Sequence, residues 1–463
     1  MKRLTMVMAT VFCAACVASG QNAVEKLLAR VDGQTEGALV MVKCQYDSDT
    51  GPTELAGMGI CYNAKKGDFM TLAFGARPSA DRIKDLVIVL PGPEQTTLPA
   101  AFLGARPEAG VAFIRSKQPH KWQAVSFAAK SNLATGQMVS SVGLMPGEQA
   151  NTRYLGVAYV STTLRAPEKI YYVTGGKLTC IGSPVFASEG PAIGLVARTI
   201  YMDYQMPTSR GLSTVALKGR QETASFLPVE EFAYVLKRIP EGGKVPRPAW
   251  MGVLKALGAS KAQAEIRGLT VPAIILDQVI SGGPAQKAGL RSGDMLLAVD
   301  GEPIQQLASP ELTGRNLLRR VMMKVPGDKM ALEYRQQGVR KQASITLTAM
   351  PLLPEEAPRY GNAEIGLAVR EKVPLDAYLD RSQTAKTPGL TVIAVAGRTP
   401  SEVSGLKTDD VITAANGKAV RSVKLLRQVI EDALAKKPSQ DIVLMVHRSG
   451  TEPQTFTISP AAK

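Results

Sequence analysis

Histidine is nearly absent. His120 and His447 are the two in 463 residues, too few for a multi-histidine metal site or for several imidazole-dependent centres. Cysteine is scarce as well: there are five, of which Cys13 and Cys16 fall in the N-terminal apolar run, leaving Cys44, Cys61 and Cys180. Their number is odd and no Cys-x-x-Cys spacing occurs, so neither a disulfide framework nor a zinc ribbon can be written from them. At most one bridge can form, between Cys44 and Cys61 in neighbouring predicted strands, with buried unpaired thiols as the alternative. No metal and no cofactor is expected. Aromatic residues make up only 5%, and none interleave with basic residues into the stacking stripe that single-stranded nucleic acid requires. Beyond residue 20, no apolar run approaches the roughly 20 residues of a membrane helix.

Positive charge, glycine and proline are abundant instead. The net charge of +15 falls by two, to about +13, once Lys2 and Arg3 are removed. It favours weak attraction to anionic surfaces such as lipopolysaccharide or phospholipid heads. The basic residues are nevertheless scattered. The densest group, Arg319-Arg320 with Lys324, lies on a predicted helix and reads as a solvated face, so nucleic acid is not an expected partner. With 45% hydrophobic and 21% charged residues, 42 Gly and 30 Pro suit many short strands joined by turns. The length corresponds to about three domains at roughly 150 residues each.

Residues 1–20 read as a secretory signal peptide. Lys2 and Arg3 precede an uncharged, mostly apolar run from Leu4 to Val17, and Ala18-Ser19-Gly20 supplies small residues for cleavage. The competing readings are a buried N-terminal helix or a membrane anchor, and the run is short for a span. Lipidation at Cys16 is disfavoured because Cys13 stands where a lipobox has a large aliphatic residue. The mature chain is expected to begin near Gln21, in an extracytoplasmic space.

From about residue 37 to 215, apolar and β-branched runs alternate with Gly, Pro, Asp and Asn clusters: Ala38 to Val42, Leu86 to Leu90, Val111 to Ile114, Met138 to Val142, Tyr154 to Val160, Ile170 to Val173 and Ile193 to Ala197. Such spacing predicts an all-β barrel or sandwich. Phe226, Val229, Phe232, Val235 and Leu236 recur at helical spacing and predict a helix, ended by Pro240-Glu241-Gly242-Gly243.

The remainder holds a repeat of roughly one hundred residues. Gly283-Pro284-Ala285-Gln286-Lys287-Ala288-Gly289-Leu290-Arg291-Ser292-Gly293-Asp294 leads into an apolar strand and Asp300-Gly301. Thr399-Pro400-Ser401-Glu402-Val403-Ser404-Gly405-Leu406-Lys407-Thr408-Asp409-Asp410 leads likewise into Asn416-Gly417. In each copy a helical turn is expected to point Ala288 or Ser404 inward, Gly289 or Gly405 to allow a tight reversal, and the Gly pair to close a hairpin. Amphipathic helices follow, Leu312 to Met323 and Val423 to Leu434.

This repeat resembles the PDZ domain, which binds an extended peptide as an added strand and captures its carboxylate with backbone N–H groups. The capturing loop has an apolar-Gly-apolar core. Met251-Gly252-Val253, after Trp250, fits it in the first copy, and Ile365-Gly366-Leu367 in the second; the plainer reading is that each triplet merely starts a strand.

A β-rich domain, a helix and two PDZ modules in that order resemble the HtrA/Deg family of serine proteases. The resemblance runs through Ala23 to Leu28, Gly57-Met58-Gly59-Ile60, Gly67-Asp68-Phe69-Met70-Thr71, Gly136-Gln137-Met138-Val139 and Phe226-Leu227-Pro228-Val229. It implies a mainly β multidomain chain: a trypsin-like double β-barrel over 21–245 with a C-terminal linker helix, then PDZ domains over 246–352 and 353–463. Family members commonly form trimers, and the short Cys44 to Cys61 connection speaks against larger cages.

Carrying the catalytic positions over leaves no triad. The histidine position is Phe74, the aspartate position Gly110, and the nucleophile position Ile181, within Thr179-Cys180-Ile181-Gly182-Ser183-Pro184. Acyl transfer needs a hydroxyl or thiol, a histidine and a carboxylate. A register shift would offer Cys180 or Ser183, yet His120, the domain's one histidine, sits in the polar loop Ser116 to Lys121 and supplies no base. The expectation is therefore a pseudoprotease that binds C-termini or unfolded, extended segments of envelope proteins, as chaperone, adaptor or regulator of active HtrA-like homologues. The rivals are an endopeptidase with a rebuilt site and a PDZ scaffold for one dedicated envelope partner.

Overall fold

In a computed structural model the described residues are 23–48, 51–72, 74, 80–145, 149–165, 167–196, 202–208, 211–217, 225–379, 384 and 386–460. The segment expected to be a signal peptide, with Cys13 and Cys16, lies outside them. The chain divides into two units, Met1–Thr348 and Ala349–Lys463.

Helix α1 (residues 23–35) opens the first unit and buries Leu27 and Val31, four residues apart on one face. Its Arg30 donates to the carbonyls of Ala187 and Gly190, at 2.7 Å each, tying the helix to the second barrel. The first barrel closes in the order β1 (Leu39–Ser48), β2 (Gly51–Asn63), β3 (Asp68–Thr71), β6 (Val111–Ser116), β5 (Thr97–Arg106) and β4 (Ile83–Val89). Alternation decides what each strand covers. On β6, Ala112 and Ile114 join a cluster made of first-barrel residues and Trp122, Phe74 and Val245, whereas Val111 and Phe113 join the cluster shared by both barrels and α1.

The second barrel runs β10 (Pro184–Phe186), β11 (Ala192–Val196), β14 (Ser225–Pro228), β9 (Lys169–Thr174), β8 (Thr152–Arg165) and β7 (Met138–Met145), again closed. A hairpin of β12 (Met202–Thr208) and β13 (Gly211–Leu217) is inserted before β14. The sequence expectation fails at one element here. Phe226 belongs to a strand, pairing with Tyr171 and Val196, and helical backbone is confined to a 3-10 turn at Val229–Glu231 and α2 (Ala233–Leu236). Pro228 marks the change: the apolar spacing continues across it, but the β9 and β11 edges claim the residues before it.

Cys44 and Cys61 are both buried and free. Register explains why: Cys44 lies opposite Leu55, so Cys61 sits six positions further along β2, about 20 Å at the usual strand rise. A disulfide needs Cα atoms within about 7 Å. Burial pushes both thiols up to about 11.

The first PDZ copy contains β15 (Ala249–Trp250), β16 (Val253–Gly258), α3 (Lys261–Ile266), β17 (Ile274–Val279), α4 (Pro284–Lys287), β18 (Met295–Val299), β19 (Glu302–Pro303), α5 (Pro310–Met322), β20 (Lys329–Gln336), β21 (Val339–Thr346) and β22 (Thr348–Ala349). Its sheet order is β16-β17-β18-β20-β21, with β19 on β18. The second copy contains β23 (Arg359–Asn362), β24 (Leu367–Glu371), α6 (Asp376–Leu379), β25 (Leu390–Val395), α7 (Pro400–Val403), β26 (Val411–Ala415), β27 (Lys418–Ala419), α8 (Val423–Leu434), β28 (Ile442–His447) and β29 (Gln454–Ile458).

The repeated motif is a clamp. Asp294 accepts from the Arg291 N–H and from Gln336, and Gln336 also donates to the Gly289 carbonyl. Asp410 accepts from the Lys407 N–H and from both arms of Arg448, which also reaches the Gly405 carbonyl. The acid thus fixes the turn in which Gly289 and Gly405 hold φ of +90° and +88°. Both residues of Asp300-Gly301 and of Asn416-Gly417 have positive φ, as a type I′ hairpin turn requires. The inward residues of α4 and α7 are Ala285 and Ser401, fully buried, rather than Ala288 and Ser404, which cap those helices half-buried.

Arg448→Met leaves the Asp410 carboxylate buried without its partner, so the second unit should lose about 3 kcal/mol, the usual cost of an orphaned buried charge. Chemical denaturation followed by amide exchange in residues 405–448 measures it; an unchanged midpoint would refute the clamp.

Candidate functional site

The three carried-over catalytic positions lie at one end of the first barrel and on the facing turn of the second. Thr71 pairs with Ala112, which brings the segment after β3 and the turn before β6 to the same end. Phe74 does not face a cleft: it is buried in the first-barrel cluster, edge-on to Phe102 at 5.6 Å. Gly110 occupies a turn at φ +65° with nothing within 4 Å of the place a side chain would take. Ile181 stands out from its turn, 41% exposed. Contact between the barrels passes beside it, where Leu72 faces Gly182 and the Met58 Sδ lies 4.0 Å from the Cys180 Sγ.

The turn itself is turned inward. The Thr179 N–H, two residues before the nucleophile position, donates to the buried Ser141 hydroxyl at 2.8 Å, and the Thr179 hydroxyl meets the same oxygen at 3.0 Å. In a triad protease the N–H at this place helps to hold the oxyanion; here a side chain already takes it. Ser183 is fully buried, its hydroxyl 3.3 Å from the Cys180 Sγ and 3.8 Å from the Met58 Sδ. Cys180 is half-buried, with the Leu144 carbonyl and Tyr154 as further neighbours. Burial and Cys180 push the Tyr154 phenol up to about 12, so it stays protonated at neutral pH and accepts no proton. His120 rests on the Trp122 ring at 4.4 Å, on a polar loop.

In the first PDZ copy, Met251 and Val253 are buried, Trp250 is half-buried, and Gly252 holds φ +83°. Two bonds set the loop: the Ala285 N–H donates to the Met251 carbonyl and the Ile280 N–H to the Gly252 carbonyl. Among the described residues, the Gly252 N–H itself donates no hydrogen bond. The strand after the loop, β16, has one strand neighbour, β17. Its other side faces α5 at very close range. A Cβ on Gly314 would fall 1.7 Å from the Ala256 carbonyl oxygen, and one on Gly258 would fall 2.8 Å from Thr313. Leu317 and Val321 complete the wall, packed with Met251 and Val253 in one buried cluster. The second barrel braces this helix: Asn316 donates to the Pro167 carbonyl at 2.8 Å, and Arg319 to the Glu231 carboxylate and carbonyl at 3.0 Å each. With α5 at this distance, β16 leaves no gap for a further strand on that side, a constraint invisible in the loop motif.

In the second copy, Ile365 and Leu367 are buried and Gly366 holds φ +71°. The Ser401 N–H donates to the Ile365 carbonyl and the Ala396 N–H to that of Gly366, so the two loops are built alike. Here, however, the loop's own N–H groups are taken. Ile365 donates to the Asn362 side-chain oxygen at 3.1 Å and Gly366 to the Asn362 carbonyl at 2.9 Å.

Two closed six-stranded β-barrels followed by two PDZ copies define the class: a trypsin-like double barrel followed by PDZ domains. Models of the PDZ domain match residues 275–309 and 364–459. A protein of Pseudomonas fluorescens named as a probable periplasmic serine endoprotease, DegP-like, is 26% identical over 366 residues, covering 77% of this chain and 71% of that protein. Its counterpart in Ectopseudomonas mendocina is 24% identical, covering 73% and 68%. Among solved structures, the HtrA-type protease AlgW with a tripeptide aligns at a TM-score of 0.51 and 18% identity, covering 70% of this chain and 98% of that one, a likeness of fold. In sequence the chain is similar to these DegP-like serine endoproteases, and it shares with them the PDZ domain.

Because Gly314 sits where no side chain fits, Gly314→Ala should push α5 off β16 and cost about 1–3 kcal/mol, as overpacking does. Amide exchange over residues 253–258 and 310–322 should quicken. Melting and exchange identical to wild type would mean that helix and strand are not in close contact.

Proposed function

We propose that this chain is an exported, periplasmic HtrA-type protein without proteolytic activity, which binds the C-termini or extended segments of envelope proteins and serves as chaperone, adaptor or regulator. The observation that carries the reading is the chemistry of the three triad positions. Phe74 accepts no proton, Gly110 orients nothing, and Ile181 carries no nucleophile. Losing triad members typically costs on the order of 10⁴-fold or more in rate. Occupation of the Thr179 N–H by Ser141 takes away one oxyanion donor as well, itself worth about 10²–10³-fold in comparable sites. Among the described residues, a rebuilt site at Cys180 or Ser183 finds Met58, Leu144, Tyr154 and each other as neighbours, and no base. The periplasmic assignment draws on the N-terminal leader and on relatives named as periplasmic.

Binding is assigned to the first PDZ copy. Its Gly252 N–H is unspent, and β16 has a side without a strand. Since α5 must withdraw first, the measured affinity is the intrinsic one reduced by the fraction of open molecules.

Purified mature protein should leave casein intact and take no fluorophosphonate label, beside an active relative that does both. Label at Ser183 or Cys180, with casein cleaved, would return the chain to the proteases. For binding, a labelled peptide with an apolar free-acid end should lose roughly tenfold to several-hundredfold in affinity on amidation, because a backbone bond to a carboxylate is worth about 1.5–3 kcal/mol. Gly252→Val should lose as much, since its Cβ would meet the Pro284 ring at 2.8 Å and the loop must lift; circular dichroism checks that it folds. Equal affinity for free-acid and amidated peptides would end the chain-end reading for this domain.

A further inference from the structure

The two PDZ copies differ at the one edge where a ligand strand would add. In the first copy β16 has β17 on one side and no strand on the other. In the second copy β24, the matching strand, has neighbours on both sides: β25, and β23 along the edge that β16 leaves without a strand. We propose that residues 359–362 are an intramolecular ligand of the second PDZ domain, seated where an extended peptide would bind and holding that site closed.

Three observations converge on this segment. Its direction is that of a captured chain end: β23 runs antiparallel to β24, pairing Arg359 with Arg370, Tyr360 with Val369, Gly361 with Ala368 and Asn362 with Leu367, and finishes at the Ile365-Gly366 loop. Its terminal residue does what a carboxylate would do. Two Asn362 oxygens, one side-chain and one main-chain, accept from the Ile365 and Gly366 N–H groups, the donors such a loop offers to a free chain end. Its side chain fills the groove: Tyr360 packs against the domain core, with the Arg427 guanidinium of α8 over its ring at 5.9 Å. Sheet edge, anion loop and helix wall are therefore all engaged by the chain itself. The segment is short and has one large side chain, so a better ligand supplied from outside can compete for the same edge. The ligand class is an extended peptide with a free carboxylate, entering only as β23 leaves.

The inference rests on reading this domain as a peptide-binding PDZ, and its test is kept separate from the first domain by carrying Gly252→Val in every sample. The probe is a labelled free-acid hexapeptide of this chain's own sequence, Ala357 to Asn362, whose carboxylate falls at the Asn362 carbonyl. Tyr360→Ala with Asn362→Ala weakens the internal strand and should raise affinity for the probe at least tenfold, to one peptide per chain. Asn362→Ala alone, the milder change, should raise it several-fold, which covers the case in which the double variant does not fold. The lock is Gly361→Cys with Ala368→Cys: a Cβ on Gly361 would lie 3.9 Å from the Ala368 Cβ, within disulfide range. Oxidised, it should abolish probe binding; reduced, it should restore it. In the chain without these changes, excess probe should speed amide exchange at residues 359–362 while that of 367–371 stays slow. Folded variants with affinity no higher than the parent, or exchange at 359–362 indifferent to excess probe, would overturn the proposal. Failure of the first domain to distinguish amidated from free-acid peptide would leave these outcomes untouched.

Discussion

A main-chain N–H removed from water must find an acceptor, and the places where this chain could meet a substrate are governed by which acceptor each N–H has found. At the turn before Ile181, the Thr179 N–H has found Ser141. At the second PDZ loop, the Ile365 and Gly366 N–H groups have found Asn362. At the first, the Gly252 N–H has found none among the described residues. Related folds offer such donors to ligands, because an oxyanion hole and a carboxylate loop are both sets of N–H groups without internal partners. In this chain two of the three sets are engaged from within. The acceptors are the Ser141 hydroxyl, the Asn362 side-chain oxygen and the Asn362 carbonyl, so these donors are occupied without any change in the fold around them.

Close packing does the same work where hydrogen bonds do not. Gly258 and Gly314 let α5 settle against β16 at a distance that any Cβ would forbid. Dispersion over a dry helix–strand contact favours that closed state, and the bonds from Asn316 and Arg319 to the second barrel hold the helix where it lies. Those anchors come from a different module. The width of the first PDZ groove is thus set partly outside the PDZ copy, so the same loop on an isolated module would face a helix held less tightly.

What could be read in the residues follows the range of the interaction involved. The repeat was legible because its signals are local: a glycine that needs positive φ, an acid four residues beyond the leucine, an Asp-Gly or Asn-Gly pair at a hairpin. The barrels were legible from alternation, and the carried-over catalytic positions from motif spacing alone. The misreadings concern long-range pairing. Phe226 shares helical spacing with Val229 and Phe232, yet barrel closure takes it as a strand. Cys44 and Cys61 lie on neighbouring strands, but their separation is a matter of register that no spacing reveals. Strand β23 went unnoticed because Arg359-Tyr360-Gly361-Asn362 has one large apolar side chain and no alternation; the signal that could have found it is Asn362 placed three residues before Ile365, a spacing suited to a side-chain acceptor at a tight turn.

On the proposed reading, in which the triad is replaced, the space between the barrels also costs something different to maintain. A buried carboxylate and imidazole must be desolvated and held in a network, a standing penalty that active enzymes carry because the chemistry requires it. Here the corresponding neighbours are Phe74 inside the first barrel and Leu72, Met58 and Cys180 between the barrels. The polar atoms that remain, on Ser141, Thr179 and Ser183, are partnered locally. On the proposed reading, this exchange follows from the loss of proteolysis: once no proton has to move, apolar contact stabilises the junction better than a charged network does. Restoring one triad residue would then place a polar group in surroundings fitted to apolar neighbours. On that same reading, building a triad here would require several changes together, in both barrels and in the Thr179 turn.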